Sequence, residues 1–230
     1  MIPLLDSIAF LWFLLCWVGY TRFADRRAQD QLTLMSAMNR YRHQWMHEML
    51  RRDVRIVDTN IVAILSRSTT FLASTTIFIL AGLLAVMGTM DTAMAVVGAL
   101  SFSVQSSREL WELKLFALVL VFVYAFFKFT WSMRHFNYLS IIIGAAPGPD
   151  RLPEWSERFA ERAARVSSNA TNTFNRGLRA YYFGLAYLSW FLHPVMFIVA
   201  ATLVVGVLYR REFRSRILRE LGDPDDFVRD

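Results

Sequence analysis

Ser68–Gly88 reads STTFLASTTIFILAGLLAVMG, 21 residues without a charged side chain. About 20 such residues, wound as a helix, cross roughly 30 Å of hydrocarbon. Inside hydrocarbon the backbone must satisfy its own hydrogen bonds, which only helices and closed barrels achieve. Barrel strands alternate apolar and polar residues over about ten positions. This run is apolar all round, so it reads as a helix.

Three further blocks have the same character: Leu4–Tyr20, Leu115–Trp131 and Tyr181–Tyr209. With 55% apolar and only 19% charged residues in 230, an ordinary soluble domain is excluded. The sequence predicts an all-α polytopic integral membrane protein in one membrane domain. Its four transmembrane helices are expected at about 4–20, 61–88, 113–134 and 181–209. The first block contains Asp6 but has no basic stretch before it and no small-residue cleavage site after it, so it reads as a retained span. Cys16, the sole cysteine, rules out an internal disulfide or a cysteine metal cluster.

Of 25 basic residues only Lys114 and Lys128 are lysines, and the net charge is +6. Arginine favours bidentate contact with phosphate or carboxylate, so anionic lipid headgroups are the expected partner. Nucleic acid is not expected, because the basic residues flank spans instead of forming one stripe with stacking aromatics.

Eight basic residues lie between Arg22 and Arg55 and seven between Arg134 and Arg179, while Arg108 and Lys114 alone occupy the second connection. The positive-inside rule then places both long connections in the cytoplasm and the N-terminus outside, in an inner membrane. The tail 210–230 conflicts with this, since four spans put its six arginines outside. Tyr181–Tyr209 would be about 43 Å long as one helix, with Pro194 near its middle. Re-entry at His193–Pro194 removes the conflict but leaves broken backbone in the membrane, at several kcal/mol per unsatisfied group. That cost favours a continuous, kinked span with the tail outside.

The long connections are themselves patterned. Leu32, Met35, Met38, Arg42, Trp45 and Met49 recur at helical spacing, predicting an amphipathic helix over about 30–52. Trp155, Phe159, Ala163, Val166, Ala170 and Phe174 do the same over about 154–176, with Pro153 suited to the helix start. The two stripes, centred on Trp45 and Phe159, should pack on each other or on a second subunit. Thr92–Val104 is too short to span and reads as an interfacial or re-entrant segment.

Few residues suggest chemistry. Lys128 lies deepest in an apolar run, and His193 sits beside a helix break; with Arg134 and Asn137 they could line a polar path or hold an anion. Snorkelling and local hydrogen bonding are the competing roles. His43 and His47 stand one helical turn apart, but two ligands do not make a metal site. Ala81, Gly82 and Ala85 would let a neighbouring helix approach closely, making Gly82 and Ala85 candidate assembly residues. No triad, phosphate loop or cofactor motif occurs, so neither an enzyme nor a cofactor is expected.

Asn60–Ile61, Trp131–Arg134 with Asn137 and Tyr138, Ile143–Ala146, Gly177–Tyr182, Trp190–Phe191, and Tyr209–Phe213 with Ser215 occur in order along the chain. Together these stretches resemble the domain of unknown function 599 family of bacterial and plant multi-span membrane proteins. The resemblance implies architecture and supplies no catalytic residues. It marks Asn60, Arg134, Asn137, Arg179 and Arg211 as polar groups at membrane boundaries. The expected role is a self-associating structural or organising component, with an ion channel or small-solute transporter as the alternative.

Overall fold

A computed structural model of the chain describes residues 3–221. Every element among them is helical. The order is α1 (Leu4–Leu14), a π-turn (Leu15–Gly19), α2 (Tyr20–Asp30), α3 (Leu34–Leu50), α4 (Ile56–Gly88), α5 (Met90–Gly98) and α6 (Arg108–Gly144). A 3₁₀ turn (Pro149–Arg151), α7 (Ser156–Tyr187), a second 3₁₀ turn (Leu188–Phe191), α8 (Pro194–Phe213) and α9 (Arg216–Leu221) follow. Four helical stretches are long and apolar enough to cross a membrane: Leu4–Ala28, Ile56–Gly88, Arg108–Gly144 and Pro194–Leu221. The protein is a multi-pass membrane protein.

The spans outrun the apolar blocks. α6 has 37 residues, about 55 Å of helix, and α4 starts five residues before the expected 61. The described residues divide into two compact units, 3–26, 74–127 and 176–210 in one and 27–73, 128–175 and 211–221 in the other.

The first unit is built on aromatic rings. Phe13 lies 5.3 Å from Tyr187 and 5.1 Å from Phe197, and Trp190 stacks on Phe197 at 5.0 Å. In lipid such packing gains dispersion and ring geometry instead of water release, about 0.5–1.5 kcal/mol per aromatic pair. Gly184 leaves room for the Phe122 ring, since a Cβ there would meet Phe122 Cζ at 2.9 Å.

These contacts correct the expected fourth span. Phe13 touches Phe183 at 6.0 Å and Phe197 at 5.1 Å, yet a continuous helix would separate those two residues by about 21 Å. Tyr181–Tyr209 is therefore no single kinked helix. Its first part completes α7, the chain turns at Leu188–His193, and α8 runs back. The feared cost is met by specific bonds. His193 caps α8 by accepting Val195 N–H on Nδ1 at 3.0 Å, with Pro194 at the first helical position, where its missing N–H costs nothing. Leu192 O accepts from Val104 N at 3.0 Å, and Trp190 O from Lys114 Nζ at 3.1 Å.

The second unit buries Met46, Met49, Leu50, Val62, Phe136, Leu139 and Ile143 with the alanine face of α7, Ala160, Ala163, Ala164 and Ala170. Trp45 and Phe159 both pack against this cluster. α3 begins at Leu34, behind a Thr33–Ser36 capping box, because Thr33 supplies the N-cap oxygen. α7 starts at Ser156, not 154, and continues past 176. The tail returns to α3: Met35 N–H donates to Glu212 Oε1 at 3.0 Å and Tyr41 Oη–H to Leu221 O at 3.1 Å. Residues 211–221 thus lie beside the first long connection, so the tail is not on the side opposite that connection, as a continuous fourth span would require; 222–230 fall outside the described residues.

Candidate functional site

Three charged clusters stand out, each built by helices that bring distant residues together. In the first unit Asp6, on the opening turn of α1, lies 2.8 Å from Lys114 Nζ, one and a half turns into α6. Their side chains are 7% and 1% exposed. Trp190 Nε1–H donates to the same Asp6 oxygen at 2.8 Å, and its ring lies 4.9 Å from Lys114 Nζ. A lone charge here would be costly, and the pair neutralises itself within protein. The cluster ties α1, α6 and the α7–α8 turn to one point.

The second cluster lies at the far end of the same helices. Asp25 on α2 accepts Arg179 Nη1–H on Oδ1 at 2.8 Å, and Arg176 through Nε and Nη2 on Oδ2 at 2.9 Å each. Arg179 is buried, with its guanidinium 5.7 Å from the Tyr20 ring. A bidentate fork of this kind fixes direction as well as charge.

In the second unit Asp58 is fully buried and accepts Trp45 Nε1–H and Arg52 Nη1–H on Oδ1, both at 2.7 Å. Its Oδ2 has no hydrogen-bond partner among the described residues. Arg55 donates to Ala146 O at 2.8 Å and also to Pro147 O, holding the chain after α6.

The residues singled out in the sequence land unevenly. Arg179 is in the second cluster and Trp45 in the third. Lys128 is half-buried on α6, while Arg134 and Asn137 are exposed on the same helix. Asn60, Arg211, Gly82 and Ala85 are exposed, and Phe159 is half-buried. His193 serves as a cap. His43 and His47 have ring centres 4.6 Å apart, but among the described residues no three metal-ligating side chains converge. Burial lowers the His47 pKa from its ordinary value; His43 and Arg51 lower it further, against Glu157 and Glu161.

Sequence reasoning missed Asp6, Lys114, Asp25 and Asp58. Lys114 was counted as a loop cation, although a lysine amid Leu110–Leu118 opposite a carboxylate in the first apolar block is the signature of an intramembrane pair.

A family model described as "Protein of unknown function, DUF599" matches residues 8–217. No curated protein and no solved structure matches the chain.

Proposed function

The chain belongs to the DUF599 family, and we propose that it is a non-enzymatic, self-associating component that organises an inner membrane, with α4 as the contact between copies. The reading rests on the outer face of α4. Only 11% of its most apolar stretch is buried, against 44% in α6. The exposed face carries Ser74, Ala81, Gly82, Ala85 and Gly88 beside Phe71 and Phe78. A Cβ added at Gly82 or Gly88 would meet nothing within 4 Å. Helices in lipid gain little from hiding apolar surface and associate where small residues admit a second backbone.

In this reading the N-terminus is outside. With the tail turned back, Arg108 and Lys114 are the only basic residues on the outer side among the described residues, and Lys114 is neutralised by Asp6. The described residues then accord with the positive-inside rule.

Cross-linking in native membranes, followed by sizing in mild detergent, tests the contact. The parent should run as an oligomer and Gly82→Leu as a monomer with unchanged melting. A monomeric parent, or a Gly82→Leu protein of parental size, sinks the proposal.

The transport alternative has one observation in its favour, the buried Asp6–Lys114 pair. Of the polar-path candidates from the sequence, His193 is engaged in capping, Lys128 is half-buried, and Arg134 and Asn137 are exposed. Ion flux into liposomes that Asp6→Asn abolishes would revive it.

A further inference from the structure

The Asp25 cluster borders a groove that self-association does not use. Trp17, Val18, Thr21, Arg22 and Asp25, closed by Tyr124 and Arg176, surround about 310 Å³. The first five recur at i, i+1, i+4, i+5 and i+8, one helix face. Along that face the chemistry changes over about 12 Å, from Trp17 and Val18 through the Thr21 hydroxyl to Arg22 and Asp25. Trp17 and Tyr124 meet edge-on at 5.4 Å. Val18 and Tyr124 are 36% and 37% exposed, so the apolar end opens on the outside of the helices. Trp17 and Val18 lie within the π-turn Leu15–Gly19, and such turns recur at functional sites.

The polar end carries surplus positive charge. Arg22, Arg176 and Arg179 supply three positive charges and Asp25 one negative, a surplus of two. Both Asp25 oxygens are taken by Arg176 and Arg179. Arg176 spends Nε and Nη2 on Asp25, leaving Nη1. Among the described residues Arg22 has no acidic partner, and the Thr21 hydroxyl oxygen has no hydrogen-bond partner.

We propose that this groove binds one anionic phospholipid. Its phosphate sits between Arg22 and Arg176, and the start of its acyl chains lies against Trp17, Val18 and Tyr124. Planar guanidinium groups suit a phosphate, and aromatic side chains suit the level where headgroup meets chain. A soluble anion would use only the arginine end. This site stands independently of the α4 contact.

The full-length protein, placed in nanodiscs of equimolar phosphatidylglycerol and phosphatidylcholine, is released into mild detergent and its retained lipid counted by native mass spectrometry. One phosphatidylglycerol per protomer should remain, and inorganic phosphate should not displace it. Arg22→Gln should lower retention roughly fivefold, and adding Arg176→Gln should lower it by about as much again. Arg22 is exposed and unpaired among the described residues, so its variant should melt like the parent and decides the matter if the double variant does not fold. No preference for phosphatidylglycerol in the parent, undiminished preference in Arg22→Gln, or displacement by inorganic phosphate each overturns the proposal.

Discussion

Asp6 and Lys114, 108 positions apart in the chain, meet at 2.8 Å with both side chains almost wholly removed from solvent. Each is the other's counter-charge, and Trp190 holds both through its indole N–H and its carbonyl.

Removing one partner should be worse than removing both. Lys114→Met leaves a buried carboxylate with only the indole donor, a loss of about 3–5 kcal/mol. Asp6→Asn with Lys114→Met should recover most of it, because an amide still accepts from Trp190. Melting in detergent checks the order; equal melting of the single and double variants would show that the pair carries no coupling.

The hairpin at Pro194 predicts that the tail shares a compartment with the first long connection, whatever the absolute orientation. With Cys16 replaced by serine, single cysteines at Ser215 and at the exposed Gln44 should show the same response to a membrane-impermeant thiol reagent in intact spheroplasts. Opposite responses would restore a single crossing by Tyr181–Tyr209.

Trp45→Phe removes one of the two donors to buried Asp58 and should lower stability by about 1–3 kcal/mol. Trp45→Glu should do more harm, since it sets a second carboxylate against the first. If both variants melt like the parent, the Trp45–Asp58 bond is not part of the fold.

Acid should loosen the second unit through His47. Its folded-state pKa is lowered by burial first and then by His43 and Arg51, so the unfolded chain binds the proton more readily. Stability is full above the ordinary histidine pKa of about 6.5 and falls as pH drops below it. Melting between neutral and mildly acidic pH should therefore decline, and His47→Gln should flatten the slope. A parental slope retained in that variant would assign the effect elsewhere.

The glycines should separate by context. Gly184→Ala drives a methyl into Phe122, itself buried and packed edge-on to Tyr181 at 5.3 Å, and should cost about 1–3 kcal/mol. Gly82→Ala meets nothing within the chain and should leave melting unchanged. Equal effects would mean that the ring yields.

Composition and period alone determined that this chain is helical and crosses a membrane, because hydrocarbon leaves the backbone no other choice. They also placed the stripes of Trp45 and Phe159, whose spacing of three and four follows from helix geometry. Fold-back at Pro194 was not legible, although the arginines of the tail pointed to it. Whether a proline kinks a helix or caps a new one depends on which donors and acceptors lie near the break. Beside the local His193, those include Val104 and Lys114, far away in sequence. The same reason hid Asp6, Asp25 and Asp58: a carboxylate's partner is chosen by where helices meet in space. Only the tertiary structure, by setting α1 against α6 and α7, decided that Asp6 would face Lys114.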